Sequence, residues 1–180
     1  MSDITMIFGF LLILGLALPG LLITLWLLFP GAVERARLRV ERTPWKTFGM
    51  GLAGLIGWAI PVIILSAVTL PLSKFLAVVT ILIALTFATL GAAGMAAQMA
   101  RRLARFSSPG LSEFAAFLRG AVALELAAAV PVLGWAIVVP IALIESMGAA
   151  IFSVLHWVPK PALRPAPAMA AESASELQSA

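Results

Sequence analysis

Three long apolar stretches without any charged residue constrain the fold of this chain most. They run from Thr5 to Phe29, from Phe48 to Leu70 and from Phe75 to Gln98. About 20 residues of helix cross the roughly 30 Å hydrocarbon core of a bilayer, where backbone groups must be paired within helices or closed barrels. No stretch alternates polar and apolar residues with a period of two, so we expect helices. The sequence thus predicts membrane-spanning helices near 5–29, 48–70 and 75–98.

Composition supports a membrane protein and argues against an enzyme. The chain is 62% hydrophobic and 11% charged, whereas soluble domains are about half apolar and a quarter charged. It has no Cys, one His and one Asp, which leaves few groups for metal binding or acid–base chemistry. We find no zinc-protease, serine-hydrolase or phosphate-loop motif. We therefore expect no catalytic residue, no metal and no cofactor, and we assign the net charge of +4 to contact with anionic lipid rather than nucleic acid.

The last apolar region, residues 111–157, is too long for one span. Its roughly 47 residues would form a helix of about 70 Å. Pro131, Gly134 and Trp135 mark the break, because Pro removes a backbone donor and Gly permits a reversal. We expect helices near 111–130 and 136–157, joined by this hairpin turn. Two full spans or one re-entrant hairpin are both compatible with the sequence.

The distribution of basic residues predicts the topology. Five lie in residues 30–46, three in 99–110 and two in the tail, whereas the 71–74 turn holds only Lys74. Five helices place the three richer segments on one side, which is cytoplasmic by the positive-inside rule. We therefore expect a multi-pass protein of the bacterial inner membrane, with domain 1–157 in the bilayer and the N-terminus outside. The Pro- and Ala-rich tail, residues 158–180, is expected to be disordered and cytoplasmic.

The segment from Glu34 to Arg42 has the pattern of a short helix on the membrane surface. Val33, Ala36 and Val40 share one side of it, and Trp45 follows at head-group level. Its basic residues are expected to contact the anionic inner leaflet, although contact with a protein partner is the alternative. The lipid-contacting basic residues are Arg35, Arg37, Arg39, Arg42 and Lys46.

Small residues predict where helices pack in the bilayer. Gly49, Ala53 and Gly57 recur at four-residue intervals on the second helix, and Gly91 and Gly94 lie near the end of the third. Helices in lipid associate where small residues permit close approach. Because the connection is short, we expect these two helices to be antiparallel neighbours packed through these faces. A homo-oligomer is the alternative use of the same pattern.

Ionisable residues at membrane depth are the remaining candidates. Arg119 and Glu145 lie at similar distances from the hairpin turn, roughly 21 Å and 18 Å, so they can pair across it. Glu125 and Glu145 are the alternative pair, as a proton or cation site. A pair that fixes helix register is the simpler interpretation. Gln98 is expected to form a hydrogen bond between helices.

A series of short motifs over roughly residues 20–157 resembles a known family. In order they are Leu28-Phe29-Pro30, Glu34-Arg35, Pro44, Gly51, Pro61, Thr69-Leu70-Pro71-Leu72, Gly120, Pro131-x-x-Gly134-Trp135 and Met147-Gly148-Ala149. The series resembles an uncharacterised bacterial polytopic membrane domain that occurs with bactofilin-like polymer-forming proteins. The resemblance implies a membrane partner or anchor for a cytoskeletal polymer.

The sequence as a whole predicts an all-α transmembrane bundle that is not an enzyme. Its expected role is that of a scaffold, anchor or accessory subunit of a membrane or cytoskeletal assembly. One alternative is a small transporter or channel that uses Glu125 and Glu145. Another is an assembly factor for a larger membrane complex.

Overall fold

The structure is a computed structural model that describes residues 15, 17–106, 112–130 and 132–157. Every regular element in these ranges is helical. The six helices are α1 (Ala17–Leu28), α2 (Pro30–Arg42), α3 (Pro44–Ala67), α4 (Pro71–Phe106), α5 (Glu113–Ala129) and α6 (Gly134–Val154, whose first turn, Gly134–Val138, is π-helical). The all-α prediction is confirmed for this part of the chain.

Prolines mark the starts of helices more often than their ends. Pro30, Pro44 and Pro71 are the first residues of α2, α3 and α4. Proline suits the first helical position, because its missing N–H would have no intrahelical partner there. The expected start of α3 near residue 48 and the expected turn at 71–74 therefore both shift toward the N-terminus. α4 also extends eight residues beyond Gln98, through the three arginines that follow it.

Three helices, α3, α4 and α6, are long and apolar enough to cross a membrane. α1 and α2 meet at Phe29 with a bend of 109°, and as a pair they would add a fourth, broken span. α5 has 17 residues and carries Glu113, Arg119 and Glu125. These lengths and compositions fit a helical membrane protein, while the count of about five spans stays a prediction. The first predicted helix is described only at residue 15 and from residue 17 onward.

α4 and α6 form the centre of the bundle. α4 contacts α2, α3, α5 and α6, and α6 contacts α2, α3 and α4. A smaller core joins α1 to α4 and α5, where Leu22, Ala96 and Phe117 are buried together and Trp26 stacks on Phe117 with 5.0 Å between ring centroids. The outward faces of α3 and of the first half of α4 are exposed and apolar, as expected for surfaces that face lipid.

The hairpin between α5 and α6 turns at residues 130–133, where the sequence predicts it. Gly134 lies so close to α5 that a Cβ atom would come within 2.4 Å of the carbonyl oxygen of Ala128. Val132 adopts φ 66°, a left-handed conformation that is strained for a β-branched residue. The wider π-helical turn precedes Pro140, which cannot donate the next α-helical hydrogen bond. Trp135 is exposed, and Pro131 lies outside the described residues.

Candidate functional site

Charged and polar groups of the described residues gather at one end of the bundle. This basic end consists of α2, the last turns of α4 (residues 98–105) and the end of α6 (residues 153–157). α2 packs tightly against α4 there, because a Cβ atom on Gly94 would lie 2.6 Å from the Cβ of Ala36. Val33, Ala36 and Arg37 of α2 are buried. α2 is the helix that the sequence predicts, but one side of it is packed into the protein.

Arg37 is the most buried charged group of the basic end, with 4% of its surface exposed. Its guanidinium forms two hydrogen bonds to the carboxylate of Glu34, of 2.6 and 2.8 Å, and a further one to Glu41. Arg101 of α4 lies 3.5 Å from the same Glu34 carboxylate. The hydrogen bonds from Arg37 lower the pKa of Glu34 below its ordinary value, and Glu34 raises the pKa of Arg37 in turn. The network therefore stays charged at neutral pH.

Arg35 and Arg39 bind the C-terminal end of α6. Arg35 Nε donates to the carbonyl oxygen of Ser153 at 3.0 Å, and Arg39 Nε donates to that of Trp157. Arg39 also lies over the ring of Phe152, 4.3 Å from its centroid. Cations at a helix C-terminus satisfy its last carbonyls and oppose the negative end of its dipole. These two arginines thus serve an intramolecular contact, whereas Lys46 is exposed.

Two neighbouring cavities open at the basic end. The larger, about 740 Å³, is the apolar cleft, bounded by α1, α2, α4 and α5. Trp26, Leu27 and Phe117 lie on its apolar side, and Glu34 and Glu113 on its polar side. The smaller, about 120 Å³, is the arginine pocket. It is lined by Arg37, Glu41, Gln98, Arg101, Arg102 and Arg105. Both cavities include Arg37 and Arg101, so they adjoin at these residues.

Among the described residues, the Oε1 atom of Gln98 does not accept the hydrogen bond between helices that the sequence predicts. Its side chain is buried, and within the described structure its Oε1 atom has no hydrogen-bond partner. Gln98, Arg101, Arg102 and Arg105 follow one another at helical positions i, i+3, i+4 and i+7, which places them on one face of α4. This spacing is the signal in the sequence that could have revealed the pocket.

The glycines of α3 that contact neighbouring helices are not the ones that the sequence predicts. Nothing lies within 4 Å of a Cβ built on Gly49 or Gly57, and Ala53 is exposed. α3 instead uses Gly51, whose added Cβ would lie 1.8 Å from the carbonyl oxygen of Ile144 in α6. Gly91 of α4 faces α6 and Gly94 faces α2, although α3 and α4 are neighbours as expected. The difference arises because α6 lies against both helices.

The intramembrane candidates are not brought together. No ion pair within 4 Å joins Arg119 to Glu145 among the residues described, and Arg119 is exposed. A carboxylate oxygen of Glu125 lies 3.2 Å from the position a Cβ would take on Gly15, which places Glu125 beside that residue. Glu145 lies within electrostatic reach of Arg102 on α4. The described chain also holds no group of three metal-binding side chains.

Comparison with known protein families, curated proteins and solved structures finds no match to this chain. The resemblance to the domain that occurs with bactofilin-like proteins therefore stays a prediction.

Proposed function

We propose that this chain is a non-catalytic integral membrane protein, a scaffold, anchor or accessory subunit of a membrane or cytoskeletal assembly. In this proposal it crosses the bacterial inner membrane five times, with its N-terminus outside and its tail in the cytoplasm. A bactofilin-like polymer is the partner that the sequence resemblance implies.

The observation that supports this proposal is that arginines of α2 at the basic end contact other groups of the same chain. Arg35, Arg37 and Arg39 all form contacts within the chain, to α6 or to the carboxylates of α2 itself. Arg35 and Arg39 fix the end of α6 relative to α2, the Arg101–Glu34 pair does the same for α4, and together they give this face of the protein a defined shape. A rigid surface with exposed positive charge suits a protein that presents a platform to a partner at the membrane surface.

The proposed orientation is supported by the two ends of α4. Its first turn carries Lys74, and its last turns carry Arg101, Arg102 and Arg105. A helix of 36 residues is about 54 Å long, enough to place these groups on opposite sides of a bilayer. α2, with its six charged residues, lies at the arginine end, which the positive-inside rule assigns to the cytoplasm.

Single cysteines test the topology directly, because the native chain has none. Thr69→Cys and Val132→Cys lie in the two turns expected outside, and Ser112→Cys lies before α5 on the expected inner side. A non-permeant maleimide added to intact spheroplasts should label the first two and label Ser112→Cys only after lysis. Labelling of Ser112→Cys in intact spheroplasts would contradict the orientation, and protection of Val132→Cys would favour a re-entrant hairpin.

Flux and copurification separate the proposed role from its alternatives. Proteoliposomes with the native chain should show no proton or cation flux above protein-free vesicles, and Glu125→Gln and Glu145→Gln should change nothing. Flux that either variant abolishes would establish a transporter and reject the scaffold.

After extraction in mild detergent, a scaffold or subunit should copurify with a partner in constant ratio, whereas an assembly factor should bind only incomplete complexes.

A further inference from the structure

We propose that the arginine pocket binds the phosphate group of an anionic lipid whose hydrocarbon chain lies in the adjoining apolar cleft. The pocket offers four guanidinium groups against one carboxylate. Arg37 bonds both Glu34 and Glu41, and Glu34 also lies 3.5 Å from Arg101, so two carboxylates offset two of the four positive charges and Arg102 and Arg105 carry most of the surplus. Guanidinium groups bind phosphate oxygens through paired, charge-assisted hydrogen bonds, so their convergence on one small cavity favours an oxyanion.

Gln98 is the second observation that points to a ligand. It is 6% exposed, lines the pocket, and has no partner for its Oε1 atom among the described residues. A buried polar atom without a partner carries a desolvation cost, and such atoms commonly mark the site of an unseen water, ion or ligand. A rotation of the amide by 180° exchanges its oxygen and nitrogen, so this side chain can donate to a phosphate oxygen.

The size of the pocket limits the ligand. Its volume of about 120 Å³ is several times the roughly 30 Å³ that one water occupies in the liquid. It is well below the roughly 300–1,000 Å³ of pockets that enclose a drug-sized molecule. The pocket by itself therefore fits a phosphate group, and the rest of any phosphate-bearing ligand has to lie outside it.

The adjoining cleft identifies the source of that phosphate. Arg37 and Arg101 line both cavities, and Trp26, Leu27 and Phe117 provide apolar surface in the larger one. A phosphate with a hydrocarbon chain attached satisfies both cavities at once, whereas free phosphate leaves the cleft empty. The basic end also lies where the head groups of a bilayer leaflet would meet the protein, because α3, α4 and α6 all adjoin it.

Native mass spectrometry of the purified full chain, titrated with phosphatidylglycerol, tests the site. Arg102→Gln/Arg105→Gln should weaken lipid binding by about tenfold or more, since each lost contact is a hydrogen bond to a charged group. The matched control is Lys46→Gln/Arg119→Gln, which removes two exposed positive charges outside both cavities. Equal binding by the pocket variant and this control would overturn the proposal.

Two further variants keep the test decisive. Gln98→Met should weaken phosphatidylglycerol binding while it raises the melting temperature of the delipidated protein, because an unpaired buried amide is removed. An unchanged affinity for phosphatidylglycerol would contradict a ligand contact of Gln98.

Ala104→Trp, which narrows the cleft, should weaken the binding of phosphatidylglycerol but leave the affinity for inorganic phosphate unchanged. If inorganic phosphate alone binds as tightly as the lipid, the oxyanion pocket stands and the assignment to lipid fails.

Discussion

The interior of the bundle and its basic end hold helices together by different physical means. In the interior, glycines let backbones touch: an added Cβ on Gly91 or Gly148 would lie within 2 Å of a carbonyl oxygen on the neighbouring helix. At the basic end, side chains of α2 reach across to α6 and α4 through hydrogen bonds and ion pairs. Only the first kind of contact depends on the absence of a side chain.

This difference determines how each region responds to change. Backbone contact at glycine is steric and nearly all-or-none, because a carbonyl oxygen cannot move without its helix. Contacts at the basic end involve carboxylates with 40 to 46% of their side-chain surface exposed, so water and salt screen them. We therefore expect large effects of substitution in the interior and smaller, pH-dependent effects at the basic end.

The largest effect should come from glycines between α6 and its neighbours. Gly51→Ala or Gly91→Ala places a Cβ 1.8 or 1.7 Å from a backbone oxygen of α6, so the helices must separate. We expect each variant to lose about 3 kcal/mol or more of unfolding free energy, the upper part of the range for overpacked cores. Unfolding in mixed micelles, followed by tryptophan fluorescence, measures the loss. Native-like stability of both variants would mean that α6 does not pack there.

Arg37→Met should have the next largest effect. The substitution keeps an apolar stem in the buried position but removes the cation that both carboxylates bond, and it leaves Glu34 only the longer contact to Arg101. Breaking a fully buried pair costs about 3–5 kcal/mol, and the exposure of both carboxylates reduces our expectation to about 1–3 kcal/mol. In the same unfolding assay, Arg37→Met/Glu34→Gln should recover part of this loss. A double variant that is no more stable than Arg37→Met would show that the loss comes from packing alone.

The sequence predicts the helices and the types of residue in both regions, but not which residues contact each other. Apolar stretches locate α3, α4 and α6, and the Pro–Gly break locates the turn before α6, because hydrocarbon and backbone chemistry act locally. The choice of Gly51 over Gly49 depends on which side of α3 α6 approaches, and residues 47 to 57 are small or apolar on every side. Likewise, nothing in the sequence indicates that Arg35 and Arg39, which are predicted to contact lipid, also donate to carbonyl oxygens at the end of α6.

Ser153→Ala tests the uncharged contact of the basic end. Ser153 is fully buried, and its hydroxyl donates to the carbonyl oxygen of Ala32 at 2.6 Å, which ties α6 to α2. Loss of one such hydrogen bond should lower the unfolding free energy by about 1 kcal/mol. Ser66→Ala is the matched control, because its exposed hydroxyl bonds only within α3. If both substitutions cost the same, the α2–α6 contact contributes no stability.

Acid should weaken the basic end before it affects the interior. The pKa of Glu34 is lowered mainly by its hydrogen bonds from Arg37, so its contribution to stability is present above the ordinary Glu pKa of roughly 4.3. This contribution is lost as the pH falls from there through the lower pKa of the folded state. Because Glu34 is about half exposed, we expect less than about 1 kcal/mol. Glu34→Gln should be less stable than the native chain at pH 7, and a difference that persists at pH 2.5 would contradict the ionic origin.

The smallest effect, and one of opposite sign, should come from the outward face of α3. Nothing lies within 4 Å of a Cβ on Gly57, so Gly57→Ala introduces no clash. Alanine restricts the unfolded chain and favours helix, which should raise the unfolding free energy by up to about 1 kcal/mol. The same substitution at Gly51 is the paired measurement, since both positions are on one helix. If Gly57→Ala destabilises the monomer-sized species as much as Gly51→Ala does, the outward face is packed within the chain. If Gly57→Ala alters only the oligomeric state, the outward face of α3 is a contact between copies of the chain. Gly49, Ala53 and Gly57 then pack between chains rather than within one.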